Sequence, residues 1–385
     1  MGPLAGYRIV EFAGIGPGPF CAMLLADMGA TVLRLDRPTV ANLGIDRPAR
    51  FNLLNRGRCS AIIDLKREEG IALALELVGK ADALIEGFRP GTMERLGLGP
   101  EPCLARNQRL VYGRVTGWGQ DGPLAAAAGH DLNYIALTGA LDAIGRAGQP
   151  PTPPLNLIGD YGGGALYLAF GIVCALLEAK SSGKGQVVDA AMIDGSASLM
   201  TPFFGLFAAG LHTAPHGENT LDSGAPYYDV YVCADGRYIS VAPIETKFRA
   251  EFYHLIGIDA ASLPSAADRA NWPAIKEVIA ARLATKPAAE WCALLEGTDA
   301  CVAPVLSMRE APRHPHHLAR GTFVEIGGIV QPAPAPRFSR TSPDLPTPPQ
   351  PAGQDTVEAL ADWGIAADRL AELRQAGIIA DARRG

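Results

Sequence analysis

The sequence predicts an α/β protein: a large domain built on a parallel sheet covered by helices, with a smaller α+β domain after it. Three observations predict it. Short β-branched and aliphatic runs alternate with helical patterns through the first half, the order that a parallel sheet with crossover helices requires. Residues 165–179 are nearly all apolar and read as a buried helix. Beyond about residue 190 the pattern changes to a strand hairpin followed by separate helices.

Taken in order, residues 8–12 read as the first strand, 19–28 as a helix and 31–35 as the second strand. Further strands are read at 61–64, 83–86 and 110–115, with a helix over 69–78. Ser181-Ser182-Gly183-Lys184-Gly185 stops the long apolar helix, and 186–191 returns as a strand. Residues 192–211 are apolar and interrupted by glycine, as expected of a segment that crosses between domains. Strands at 227–233 and 238–241 flank Ala234-Asp235-Gly236, a hairpin turn signal. Helical stretches around 248–256, 272–283 and 288–295 follow. From 331 to 351 there are eight prolines, which force an extended course that no central strand can follow. Such an arm is expected to travel over a surface, its own or that of a partner subunit. Short helical patterns at 356–363 and 368–376 close the chain. The expected organisation is a large domain over 1–190, completed by about 320–385, a linker or crossing segment over 191–222, and a small α+β domain over 223–315.

Composition narrows the function. The chain has 385 residues, 48% hydrophobic and 19% charged, enough for two or three domains with a large core. A net charge of −6 argues against a nucleic-acid partner. Seven scattered cysteines without a CxxC pair suggest reduced thiols and a cytoplasmic location. No signal sequence and no membrane span are expected, and the terminal Arg383-Arg384-Gly385 carries no lipidation signal.

Several groups carry chemical meaning. Gly14-Ile15-Gly16-Pro17-Gly18-Pro19 after a strand, with Asp36 ending the next, imitates a dinucleotide fingerprint. Proline stands where the third glycine belongs, and Pro17 removes a donor that a pyrophosphate would use. The run is read as a tight turn into a helix with proline in its first turn. Between 34 and 67, eight Arg and Lys (34, 37, 47, 50, 56, 58, 66 and 67) stand against three acids. Any one of them is readily an ordinary surface charge. As a cluster in an acidic chain they point to a ligand bearing polyphosphate, because guanidinium forks suit phosphate esters. His314-Pro315-His316-His317 is read as lacking a carboxylate or cysteine partner, so no metal site is expected.

His130, in Gly129-His130-Asp131, and Asp160, ahead of Gly162-Gly163-Gly164 and the long helix, are two groups that can each carry one proton. Asp160 as a helix cap is the plainer reading. A helix start beside it also offers N–H groups to developing negative charge. Glu245 is a lone acid in an apolar stretch and means little alone.

These residues carry a resemblance. Pro17-Gly18-Pro19-Phe20-Cys21-Ala22, Leu35-Asp36-Arg37-Pro38, Asp64-Leu65-Lys66 and Glu86-Gly87-Phe88-Arg89-Pro90-Gly91 all take part. So do Thr116-Gly117-Trp118-Gly119-Gln120, Gly129-His130-Asp131, Gly159-Asp160 and Ser182-Gly183-Lys184-Gly185-Gln186. From residue 4 to about 345 the chain resembles the α-methylacyl-CoA racemases of the family III CoA-transferase superfamily. The resemblance implies that superfamily's fold, with a Rossmann-like large domain, and an interlocked homodimer. It implies an acyl-CoA thioester substrate in lipid and fatty acid metabolism, with no separate cofactor because CoA is part of the substrate. It makes His130 and Asp160 the acid/base pair and Glu245 the support of His130. It places Arg37, Ile63, Leu65, Lys66, Arg89 and Arg95 at the CoA site, and Asp131, Tyr134 and Asn156 near the thioester. The reaction so implied exchanges the proton on the carbon next to the thioester through an enolate. A backbone N–H at the start of the helix after Asp160 is expected to hold the enolate oxygen, and the apolar run from 192 to 207 to receive part of the acyl tail. The alternatives are CoA transfer with Asp160 as nucleophile, and an acyl-CoA binder without catalysis.

Overall fold

The computed structural model describes residues 2–39 and 44–382, so the terminal Arg383-Arg384-Gly385 lie outside the described residues. The chain forms two compact units. The first comprises residues 1–138, 155–199 and 318–385, and the second 139–154 and 200–317.

The first unit begins with β1 (Arg8–Phe12), α1 (Pro17–Asp27), β2 (Thr31–Asp36), β3 (Cys59–Ile63), α2 (Glu68–Val78) and β4 (Ala83–Glu86). The single turn α3 (Thr92–Arg95), then α4 (Pro100–Arg106), β5 (Val111–Thr116) and α5 (Asp131–Leu137) follow. A π-helical segment, Leu157–Leu166, runs directly into α6 (Tyr167–Ser182). After it come β6 (Gln186–Ala191) and α7 (Met192–Leu199). The six strands are parallel in the order β3-β2-β1-β4-β5-β6. That order reverses direction between β1 and β4, which opens a crevice at the carboxyl ends of those strands.

Strand periodicity sorts the core. Val10, Phe12, Leu33, Leu35, Leu84 and Tyr112 enter one apolar cluster, while Ile9, Val32, Ala83, Ile85 and Val111 enter another. Successive side chains of a strand point to opposite faces, so the two clusters are the two faces of the sheet.

The long helix starts earlier than the sequence suggests. Gly162-Gly163-Gly164, which precede the helix expected at 165–179, are themselves helical. A Cβ on Gly163 would lie 2.6 Å from the Ser196 nitrogen, and one on Gly195 would lie 1.9 Å from the Gly163 oxygen. The glycines therefore let this helix and α7 meet backbone to backbone. The continuous 26-residue helix is long and apolar enough to cross a bilayer by length and composition. Its residues Leu168, Ile172, Ala175, Leu176 and Ala179 are buried with β5 and β6.

The second unit contains α8 (Thr201–Ala208), β7 (Asp229–Val232), β8 (Tyr238–Val241), α9 (Thr246–Ile256), α10 (Trp272–Leu283), α11 (Ala288–Leu295) and β9 (Val302–Pro304). Its three-stranded antiparallel sheet has the order β7-β8-β9. Phe252, Ile256, Ile275, Ile279 and Trp291 form its core. The boundaries differ from those expected. Residues 139–154 belong to this unit, where Arg146 Nη1 meets Asp229 Oδ1 at 2.5 Å and Gln149 O lies 2.8 Å from His216 Nε2. The expected crossing segment is two helices, α7 in the first unit and α8 in the second.

The short α12 (Pro315–Arg320) precedes the return to the first unit. There β10 (Phe323–Ile326) and β11 (Ile329–Pro332) form a hairpin, followed by α13 (Thr356–Asp362), α14 (Ala367–Gln375) and β12 (Ile379–Ala380). The final strand adds antiparallel to β3 and completes the seven-stranded sheet. The Pro-rich arm is fastened to its own unit: Arg56 Nη1 donates to Gln331 Oε1 at 2.9 Å and to Pro332 O at 2.7 Å, and Gly57 N donates to Thr347 O at 3.0 Å.

Candidate active site

A cavity of about 1040 Å³ lies in the first unit at the carboxyl ends of β1, β2, β4 and β5. Its walls include the turn 14–17 after β1, Arg37 after β2, the turn 87–90 after β4, and Gly117 and Trp118 after β5. Residues 128–132, Tyr134, Leu155, Asn156, Asp160 and Tyr161 close it. His130 and Asp160, thirty positions apart, therefore share one cavity.

The turn after β1 explains the imitation of a dinucleotide fingerprint. Gly16 caps α1 at φ +67°, and a Cβ there would lie 3.0 Å from Asp160 Oδ2. Glycine is needed both for the left-handed backbone and for the approach of this carboxylate. A pyrophosphate at the same turn would meet a negative charge. Pro17 and Pro19 also remove two first-turn donors from α1, so few N–H groups are left to stabilise an ionised Asp160.

Asp160 is not the cap of its helix. The helix begins at Leu157, after Asn156, and Asp160 sits within its first turn. Asn156 Nδ2 donates to Asp160 Oδ2 at 3.0 Å. Burial pushes the Asp160 carboxyl above its ordinary range; the Asn156 amide and the His130 charge pull it down, and the Asp131 charge pushes it up. An elevated carboxyl is suited to carry a proton as well as to release one.

His130 precedes α5, and its main-chain N–H donates to Asn133 Oδ1 at 3.0 Å. The next residue, Asp131, is buried and accepts the N–H of Asp160 on Oδ2 at 2.6 Å. This corrects the expected oxyanion donor. The N–H of Asp160 is already taken, and those from Tyr161 onward serve the helix itself. Asp131 and Leu132 open α5, so their own N–H groups have no intrahelical acceptor.

Tyr134 lies beneath this corner. Its ring meets Trp118 edge-on at 4.8 Å, and its hydroxyl donates to Gly129 O. Burial, with the Asp160 charge, pushes its hydroxyl up to about 12. Gly117 must be glycine, since a Cβ there would lie 2.1 Å from the Tyr134 ring.

The basic cluster divides into two sets. Arg34, Arg56 and Arg58 are spent inside the fold, on Asp36 at 2.7 Å, on Asp27 at 2.6 Å and on Glu11. They are not ligand groups, and the sequence expectation is corrected for them. Arg37 and Arg89 line the cavity, exposed, and the Arg37 guanidinium lies 5.3 Å over the Phe88 ring. The turn that carries Phe88 and Arg89 is shaped by Glu86, which accepts Phe88 N at 2.8 Å and Arg114 Nε at 3.0 Å.

Other expected residues stand elsewhere. Ile63 is fully buried, so its side chain belongs to the core and only its main chain is left for a ligand. Leu65 packs on the same cluster, and Lys66 is exposed outside the lining. Arg95 is exposed, donates to Thr92 Oγ1 at 3.0 Å, and crowds Gly91 beside the lining residue Pro90. Glu245 belongs to the second unit, exposed at the start of α9. His314 Nε2 lies 2.9 Å from Glu296 Oε1, a carboxylate partner the sequence reading did not name. No group of three His, Cys, Asp or Glu among the described residues is arranged to hold a metal ion.

The sequence reading missed Arg47 as an individual. Its Nη2 donates to Asn52 Oδ1 at 2.9 Å and both line the cavity. It also missed the apolar wall of Ile15, Leu132, Leu155 and Tyr161, to which Met192 adds. Only Met192 falls in the run expected to receive an acyl tail. Leu155 carries a left-handed backbone at φ +58°, a strained state for this side chain that no composition signal announces.

Known proteins match the chain along nearly its whole length. α-Methylacyl-CoA racemase of Mus musculus is 44% identical over 379 residues, covering 98% of this chain and 97% of that one. The Homo sapiens protein of the same name is 41% identical over 381 residues, with the same coverage. The acetyl-CoA:oxalate CoA-transferase of Acetobacter aceti is 30% identical, covering 86% of this chain and 88% of that one. The crystal structure of a CAIB/BAIF family protein from Brucella suis superposes with a TM-score of 0.81 at 26% identity, covering 94% of this chain and 99% of that one. The model of CoA-transferase family III matches residues 4–356, and with these relatives it establishes that the chain belongs to that family.

Proposed function

We propose that the protein is an α-methylacyl-CoA racemase, an isomerase that interconverts the (R) and (S) forms of a 2-methylacyl-CoA. The observation that carries this reading is the placement of His130 and Asp160 in the wall of one cavity, with arginines at the same cavity for the phosphates of CoA. In one direction neutral His130 takes the α-proton from one face, and protonated Asp160 delivers a proton to the other. The reverse direction begins with His130 protonated and Asp160 ionised. The pair holds one proton between the two groups, and its titration is coupled. Developing charge on the enolate oxygen is assigned to the free first-turn N–H groups of α5. Glu245 is assigned the support of the His130 imidazolium. Arg37, Arg47 and Arg89 are assigned the phosphates of CoA, with Lys66 and Arg95 outside the lining as longer-range contributors. CoA enters as part of the substrate, and no further cofactor takes part.

The second reading, CoA transfer, uses Asp160 as a nucleophile on the thioester and needs no second base. His130 in the same cavity favours racemisation. The test is a single enantiomer of a 2-methylacyl-CoA incubated without any acceptor acid. Both enantiomers should accumulate. An unchanged enantiomer, with CoA passed to an added carboxylic acid, would favour transfer.

The Asn156 bond gives a pH prediction. Removing its donor with Asn156→Ala takes away an influence that lowers the Asp160 carboxyl, so that carboxyl rises further. In the direction that starts from ionised Asp160, the rate rises with pH as Asp160 deprotonates. The rising limb should therefore move to higher pH, as read from pH–rate profiles.

An interlocked homodimer is part of the same proposal. Leu166, Phe170, Cys174 and Leu177 form an exposed stripe at i, i+4, i+8 and i+11 along the long helix. An apolar stripe of this kind calls for a covering surface, and a second copy is the proposed cover. Light scattering should give twice the mass of one chain, and Phe170→Asp with Leu177→Asp should abolish that species. A monomeric parent protein would contradict it.

A further inference from the structure

The structure assigns Asp131 a positioning role: its carboxylate holds Asp160, and not His130, in place for proton delivery. The inference rests on the racemase reading and deepens it.

The geometry is specific to the Asp160 side. Asp131 is 5% exposed, and its Oδ2 accepts the N–H of Asp160 at 2.6 Å. Its other oxygen, Oδ1, is buried with no hydrogen-bond partner among the described residues, so the side chain is committed to this one contact. Gly159 makes the approach feasible, since a Cβ there would lie 2.7 Å from Asp131 Oδ2 and 3.2 Å from its Cα.

The helical turn that needs this support is unusual. Asp160 lies in the first turn of a π-helical segment, where hydrogen bonds reach five residues back and more N–H groups start without partners. Asp131 satisfies the Asp160 N–H from outside. The His130 main chain is secured separately, by Asn133 within its own turn. Loss of the Asp131 carboxylate should therefore loosen the Asp160 turn and leave His130 in position. Its negative charge acts in the same sense, keeping Asp160 readily protonated against the pull of Asn156 and His130.

The test separates the two faces of the substrate. His130 alone can remove and return a proton on its own face, which exchanges the α-hydrogen of one enantiomer with solvent without inverting it. Asp131→Asn and Gly159→Ala, which disturb one contact from opposite sides, are compared with the parent protein in D2O. Inversion should fall by roughly 30- to 100-fold, as for a misplaced catalytic group, while exchange at the His130 face changes by less than about 3-fold. A parallel fall of both reactions, or a fall of neither, would overturn the assignment. Amide hydrogen exchange supplies a readout free of the reaction. In Asp131→Asn the Asp160 amide should lose protection by about tenfold or more, consistent with loss of one hydrogen bond. Unchanged protection would overturn the role of Asp131 whatever the reaction. A parent protein that shows this protection but no α-proton exchange would overturn the racemase reading instead.

Discussion

Asp160→Asn is expected to lower inversion of a 2-methylacyl-CoA by about 10³-fold, within the range for losing a general acid–base group. The asparagine matches the aspartate in size, so the close approach to Gly16 and the fold should survive. Exchange at the His130 face should persist, and the affinity for CoA should stay close to that of the parent, because the arginines are untouched. His130→Asn should show the mirror image, with exchange surviving only for the other enantiomer. Enantiomer-resolved deuterium incorporation reads both variants, and calorimetry with CoA reads the affinity. Equal loss of exchange for both enantiomers in either variant would mean that the two residues do not work on separate faces.

Arg58→Met is expected to destabilise the fold by about 3–5 kcal/mol, the usual effect of breaking a buried ion pair from one side. Arg58 and Glu11 are both 0% exposed at their side chains and pair within the sheet. Burial lowers the Arg58 pKa against the pull of Glu11. Arg58 also donates to Leu54 O and, at 2.8 Å, to Asn55 Oδ1. That ties the pair to the loop whose Asn52 and Leu54 line the cavity. Urea unfolding should show the loss. The double variant Arg58→Met with Glu11→Leu should recover most of it, because no charge is then left unpaired. A single-variant effect below about 1 kcal/mol, the scale of an exposed pair, would contradict this account.

The sheet was legible because its signal is local. Contiguous apolar runs at Ile9-Val10 and Val32-Leu33 report two buried faces, and the structure sends successive residues to opposite faces. The edge strand Ile379–Ala380 has two residues and no pattern of its own, so its place beside β3 was beyond reach. The second unit's claim on 139–154 depends on partners far away in sequence, such as Asp229 for Arg146. Glycine misled in one place: the helix was expected from residue 165, after Gly162-Gly163-Gly164, while close packing on α7 makes these glycines part of it. Arginine misled in another. Charge counting cannot separate Arg58, buried on Glu11, from Arg47, exposed at the cavity. At the site, His130 and Asp160 were legible as candidate proton carriers, whereas the Asp131 bond to Asp160 N–H exists only once two distant turns are brought together.

The central claim is that two residues pass a proton across one carbon. Its most direct measurement is mass-resolved chiral analysis of one 2-methylacyl-CoA enantiomer turned over in D2O with no acceptor acid present. The account predicts that every inverted molecule carries one deuterium at the α-carbon, from the first turnover onward. Starting material that stays unlabelled and uninverted, with hydroxylamine trapping an acyl group on Asp160, would contradict it.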